Sequence, residues 1–148
     1  MKIFVGIDDS RRLDGGGAGE IVSLLTRTID EKGWGKSAIP SRHRLYPHPD
    51  TGYRKHNTAR SFSAEVEEQY MEELIDYACV MIKSNGTSDS NSGLAIAVPE
   101  RMDNTDELID YAYRTKETMI NSDETLAMVK KQGLYIFELS GNGKGIIG

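Results

Sequence analysis

The chain alternates short apolar runs with longer segments spaced for a helix, and that alternation restricts it to folds in which helices cover a sheet. Residues 2–7, "KIFVGI", are rich in Ile, Phe and Val and read as a buried strand. Residues 20–32 put Ile21, Val22, Leu24, Leu25 and Ile29 on one helical stripe that Gly33 stops. Residues 39–46 and 56–62 read as two antiparallel strands joined by the turn-rich "PHPDTG". Ser63 is then expected to cap a helix reaching Lys83, with Val66, Tyr70, Leu74, Tyr77 and Met81 on one face. A polar loop over residues 84–93 leads to the buried strand "LAIAV", ended by Pro99. Asn104 with Glu107 opens a further helix, Ser122 opens another that Gly133 closes, and residues 134–139 form a last strand.

The predicted order is βαββαβ, then two helices, then a strand. It implies an α/β (α+β) fold with a split βαβ-like core, an antiparallel or mixed sheet covered by helices on one face. With 148 residues, 38% of them hydrophobic, the chain matches one ordinary domain, so residues 1–148 are expected to form a single domain. One cysteine, Cys79, leaves no internal disulfide framework, and neither a signal-peptide layout nor a membrane-length apolar run is present, which makes a cytoplasmic protein the expectation.

A net charge of −5 argues against a protein that coats nucleic acid over its whole surface. The cations are nevertheless concentrated: Lys36, Arg42, Arg44, Arg54, Lys55 and Arg60 face a single acid, Asp50, in the same stretch. All three histidines, His43, His48 and His56, lie there too, with Tyr46 and Tyr53 offering aromatic faces. Cations interleaved with rings suit phosphates and bases; a solvated surface that balances the acidic helices has the same composition. The histidine spacing matches no compact metal motif.

Two glycine-rich stretches follow predicted strands. In the first, Asp8 and Asp9 directly follow a strand, Ser10 comes next, and Gly15, Gly16, Gly17 and Gly19 lead into a helix. Magnesium needs only one or two protein carboxylates when substrate phosphates supply the rest, and glycines let backbone amides approach an anion at a helix N-terminus. The same residues also serve as turn formers with a loose loop. In the second stretch Gly141, Asn142, Gly143, Lys144 and Gly145 follow the last strand, and Lys144 can place a point charge on a phosphate. Its spacing is not that of a P-loop, and a frayed tail reads the same way.

"GIDDS" (residues 6–10), "HRLYPHPDTGYRKHNTA" (43–59), "SNSGLAIA" (90–97) and "GNGKGIIG" (141–148) resemble, in order, the landmarks of the N-terminal kinase-like domain of the archaeal tRNA-isoleucine agmatinylcytidine synthetases. The resemblance covers nearly the whole chain. It implies an ATP-dependent, magnesium-dependent phosphoryl transfer of the kind that activates a tRNA cytidine in that transferase or ligase family, with the acceptor of this chain undefined. Asp8 and Asp9 would then hold magnesium on ATP, Lys55 would be catalytic, and Arg54 and Asn57 would stand among the phosphate-binding positions with Ser10, Gly15, Gly16 and Gly17. Gly141, Gly143, Lys144 and Gly145 would line the nucleotide. The implied partners are a nucleotide and a tRNA or other RNA, gripped with the help of additional domains or chains; no membrane is implied. The sequence departs from the family pattern where Arg11 replaces an acid, where Ala18 and Gly19 replace a threonine pair, and where His56 replaces a glycine. Those departures leave open a non-catalytic module for a nucleotide or RNA phosphate.

Overall fold

The computed structural model describes residues 1–8, 17–46, 58–85 and 92–139. In chain order the elements are β1 (Lys2–Asp8), α1 (Ala18–Glu31), β2 (Gly35–Ser37), β3 (Ser41–Arg44), β4 (Thr58–Val66), α2 (Met71–Asn85), β5 (Gly93–Ala97), α3 (Thr105–Glu117), α4 (Ser122–Gln132) and β6 (Tyr135–Glu138). The sheet has the order β2-β4-β1-β5-β6, and β3 also pairs with β4. Of the two expected arrangements the antiparallel one is found: every described ladder is antiparallel. The interleaved order, in which β4 separates β1 from the strands after α1, is that of a split βαβ core.

Alternation along the strands decides which residues meet the helices. Ile3, Val5 and Ile7 on β1, Phe62, Ala64 and Val66 on β4, and Leu94 and Ile96 on β5 are buried together against α1 and α2. From the helices, Ile21, Val22, Leu25 and Ile29 meet them with Met71, Leu74, Ala78 and Ile82. Gly33, at φ 70°, lets the chain turn back after α1, as expected of a glycine in the left-handed region.

Three expectations are corrected. Ser63 does not cap a helix; β4 continues to Val66, and a 3₁₀ turn at Glu68–Tyr70 leads into α2. Residues 63–66 alternate half-buried, buried, exposed, buried, so the two-residue period of the sheet overrides the helical spacing of Val66 and Tyr70. The buried stripe of α2 is consequently Met71, Leu74, Ala78 and Ile82, with Tyr70, Tyr77 and Met81 at its margin. The strand expected over residues 39–46 shrinks to Ser41–Arg44, leaving Ile39 94% exposed. Finally, β2 was not foreseen, because three residues carry no period of their own.

Asn104 caps α3 by accepting hydrogen bonds from the amides of Asp106 and Glu107. Asn121, one residue before the expected Ser122, caps α4 through the Glu124 amide, and Gly133 (φ 65°) closes it. The pair is tied by Gln132, which donates to Glu107 and accepts from the Asn104 amide, and by a 2.6 Å bond between Tyr111 Oη and Thr125 Oγ1. The Tyr46 amide donates to the Thr115 carbonyl, fixing the end of α3 beside the chain that leaves β3. Among the described residues no helix is long and apolar enough to cross a membrane.

Candidate nucleotide site at one edge of the sheet

Antiparallel pairing brings chemically distinct parts of the chain to one edge. Asp8 ends β1 opposite Ala59, next to the start of β4, while β3 ends at Arg44 opposite Thr58. On the other side β5 begins at Gly93 opposite Glu138, near the end of β6, and the Leu139 amide donates to the Ser92 carbonyl at 2.9 Å. β5 stands between the first and last strands, so they lie about two ladder spacings, ~10 Å, apart. Both are antiparallel to β5 and therefore finish at the same edge.

The beginning of α1 lies at this edge as well. Gly17 is its N-cap and offers no side-chain acceptor, so the first-turn amides have no side-chain cap from it. A side chain at Gly19 would come within 3.2 Å of the Arg60 guanidinium, which places that cation beside the start of the helix. Arg60 shares a sheet face with Ile7 and Phe62 and has Arg42 as its partner on β3. A helix N-terminus without a side-chain cap from Gly17 and an adjacent guanidinium form surroundings suited to an anion.

Of the site residues named from sequence, Asp8 and Gly17 are described, and both lie at this edge. Asp8 is half-buried at the strand's end, and it has an interaction of its own. Asp9, Ser10, Gly15, Gly16, Arg54, Lys55, Asn57, Gly141, Gly143, Lys144 and Gly145 lie outside the described residues. Each belongs to a stretch joined to a described residue of this edge: Asp8 and Gly17, Tyr46 and Thr58, or Leu139. From the basic patch, Lys36 sits on β2, Arg42 and Arg44 on β3, and Arg60 on β4.

Among the described residues no group of three or more His, Cys, Asp or Glu side chains gathers as a metal cage. A carboxylate at the strand end with another next to it in sequence still fits magnesium, which takes most of its ligands from phosphates and water.

One cluster escaped the sequence reading. On the sheet face away from α1 and α2, His43 Nε2 lies 2.8 Å from Ser61 Oγ and 2.8 Å from Ser41 Oγ, and the two hydroxyls are 3.0 Å apart. The register explains it: Ser41 pairs with Ser61, and His43 is two residues along the same face. The only signal in the sequence was a Ser-x-His spacing. Burial, and secondarily the Lys116 ammonium, hold the His43 pKa below the usual histidine value, which favours the neutral ring.

No protein-family profile matches the chain, and no curated protein matches it. Among solved structures it superposes along 100% of its length on TiaS, a tRNA agmatidine synthetase, in a complex with an isoleucine tRNA and ATP, at TM-score 0.82 and 26% identity. The chain resembles the agmatidine synthetase TiaS. A second TiaS complex, with tRNA, the ATP analogue AMPCPP and agmatine, gives TM-score 0.81 at 26% identity. A tRNA fluorescent labelling enzyme gives 0.82 at 25%. The chain spans 34% of the TiaS chain in the ATP complex, about a third of that protein. The TiaS fold was thus readable from the four sequence landmarks despite the low identity.

Proposed function

We propose that this chain is the ATP-binding part of a tRNA-modification enzyme and supports phosphoryl transfer from ATP toward an RNA acceptor. One observation supports this above the rest: the whole chain superposes on about a third of an enzyme whose solved complexes contain ATP and tRNA. The edge geometry is consistent with it. Asp8 stands at a strand end beside a helix N-terminus and the Arg60 guanidinium, and the glycine-rich and basic stretches attach there.

In this reading the phosphates lie at the edge. The amides of the first turn of α1 and the Arg60 cation compensate their charge, and Lys55 and Lys144 add point charges from their stretches. Asp8 and Asp9 hold the magnesium ion, whose contribution when bound is to neutralise charge on the phosphoryl oxygens. Such a reaction asks mainly for positioning and charge compensation, which carboxylates, lysines and backbone amides provide without a covalent nucleophile. The RNA acceptor is held together with domains or chains beyond this one, in contact with the cations on β3.

Calorimetric titration with ATP tests the reading. Binding is expected to require magnesium, and Asp8→Asn is expected to weaken it tenfold or more, a loss of about 1.4 kcal/mol. Binding that ignores both magnesium and the substitution would favour a non-catalytic nucleotide module, and absence of ATP binding would end the nucleotide reading altogether.

A further inference from the structure

The sheet face away from α1 and α2 carries a large ring at its centre. Ile3, Val5 and Ile7 of β1 point into the core, so alternation puts Lys2, Phe4 and Gly6 on the other face. β1 is the middle strand of the sheet, and Phe4 is 45% exposed there. Its surroundings are low: Ser63 pairs with it on β4, Ala97 on β5, and Gly6 is the next same-face residue of its own strand. A Cβ at Gly6 would meet the Ala95 Cβ at 3.9 Å and no other described atom within 4 Å. Around this ground stand cations and uncharged hydrogen-bonding groups. Lys36, Glu65 and Lys2 form a row across β2, β4 and β1, one same-face step from Phe4, and the Lys2 ammonium lies 5.3 Å from the ring centroid. The acid of the row, Glu65, has the Met1 ammonium 3.9 Å from its carboxylate, which leaves the two lysine charges uncompensated by it. On the other side Ser61 is diagonal to Phe4, because it pairs with Gly6, and such neighbours are about 7 to 8 Å apart. Ser61 brings the hydrogen-bonded cluster with Ser41 and His43, and Asp8 follows at the end of the strand.

We infer that Phe4 is a stacking platform for an unpaired RNA base on this second face of the sheet, with Lys2 and Lys36 compensating the flanking phosphates. In taking RNA as the partner this rests on the function proposed above; the surface it names is separate from the nucleotide edge. An aromatic ring on an open sheet, rimmed by cations, is a general means of holding single strands, because every base has a π-face. The neighbouring charges favour RNA over a protein surface as the occupant. An apolar protein patch laid on Phe4 would desolvate Lys2 and Lys36 beside it, whereas the phosphates on either side of a stacked base meet their charge. The hydroxyls of Ser61 and Ser63 lie where they can meet a base edge or a ribose hydroxyl without bringing in a charge.

The test is fluorescence anisotropy of an end-labelled oligouridylate of about ten nucleotides, titrated with the full chain at low salt. Saturable binding is expected. Phe4→Ala and Phe4→Leu should each weaken it about five- to a hundredfold, the range for one stacked base, while Phe4→Trp should bind at least as tightly. Leucine keeps the apolar bulk and loses the π-face, so it separates stacking from ordinary apolar contact. Lys36→Ala should lower the slope of log affinity against log salt by roughly 0.7. The urea midpoint of each variant serves as the control for folding. An oligonucleotide that does not bind, or binds the folded Phe4→Leu chain as well as the unaltered one, would overturn the inference; so would a dimer of this chain that Phe4→Ala dissociates, which would give the ring to a second copy. Calorimetry with ATP keeps the two readings apart. A chain that binds ATP without Phe4-dependent RNA affinity loses this inference alone, and one that holds RNA through Phe4 but no ATP loses only the nucleotide site.

Discussion

Trp34→Ala should lower the stability of this protein by about 3 to 5 kcal/mol, a third or more of what a domain of this size commonly has. Trp34 is 2% exposed between the end of α1 and β2, with its ring edge-on to Tyr77 of α2 at 5.9 Å and the Lys32 ammonium 4.7 Å above it. Its backbone is held on both sides: its amide donates to the Ile29 carbonyl, and its carbonyl accepts from the Glu67 amide. Removing the indole therefore leaves a cavity whose walls are fixed by hydrogen bonds, and such sites collapse poorly. Urea unfolding should show the midpoint falling with the slope unchanged. A loss under about 1 kcal/mol would mean that α2 closes over the gap and that Trp34 is not the joint between the helix layer and the β2 edge.

Gly35→Ala should cost nearly as much, for a different reason. A Cβ at Gly35 would lie 1.9 Å from the Glu65 carbonyl oxygen and 2.9 Å from the Val66 Cα, both backbone atoms that no rotamer change can move. To admit the methyl, β2 must separate from β4, giving up pairing over Gly35, Lys36 and Ser37. Overpacking of well-fitted sites costs about 1 to 3 kcal/mol, and the lost ladder puts this case at the top of that range. The melting temperature should fall by roughly 6 to 12 °C, at about 2 to 4 °C per kcal/mol for a chain of this length. An unchanged melting temperature would show that β2 is not held against β4 in solution.

These sites also show what the sequence could and could not reveal. Strand β1, helix α1, strand β5 and the Asn104 and Gly133 ends of the later helices follow from local pattern and capping chemistry, and they stand as expected within a residue or two. Strand β2 exists because β4 is long enough to pair with it, a tertiary cause with no local signature. The join between β4 and α2 was misplaced because Val66 satisfies both a two-residue and a helical period, and only its pairing with Gly35 decides between them. For the site, the strand-end position of Asp8 was legible from an apolar run followed by acids. That Arg60 would stand beside Gly19 was not, since it depends on α1 crossing β4. The serine–histidine cluster was hidden for a like reason: Ser41 and Ser61 are twenty residues apart and meet only through the β3–β4 register.

Amide chemical shifts of the isotopically labelled chain, recorded while ATP and magnesium are added, bear most directly on a nucleotide held at this edge. The changes should be largest among the described residues at Ile7, Asp8, Gly17, Ala18, Thr58, Ala59, Arg60, Ser92, Gly93 and Leu139, which the ladders and the start of α1 bring together. Lys2, Val66, Ala97 and Tyr135, at the opposite ends of their strands, should be nearly unaffected. Changes centred on those four residues, or on α3 and α4, would contradict the assignment of the nucleotide to the Asp8 edge.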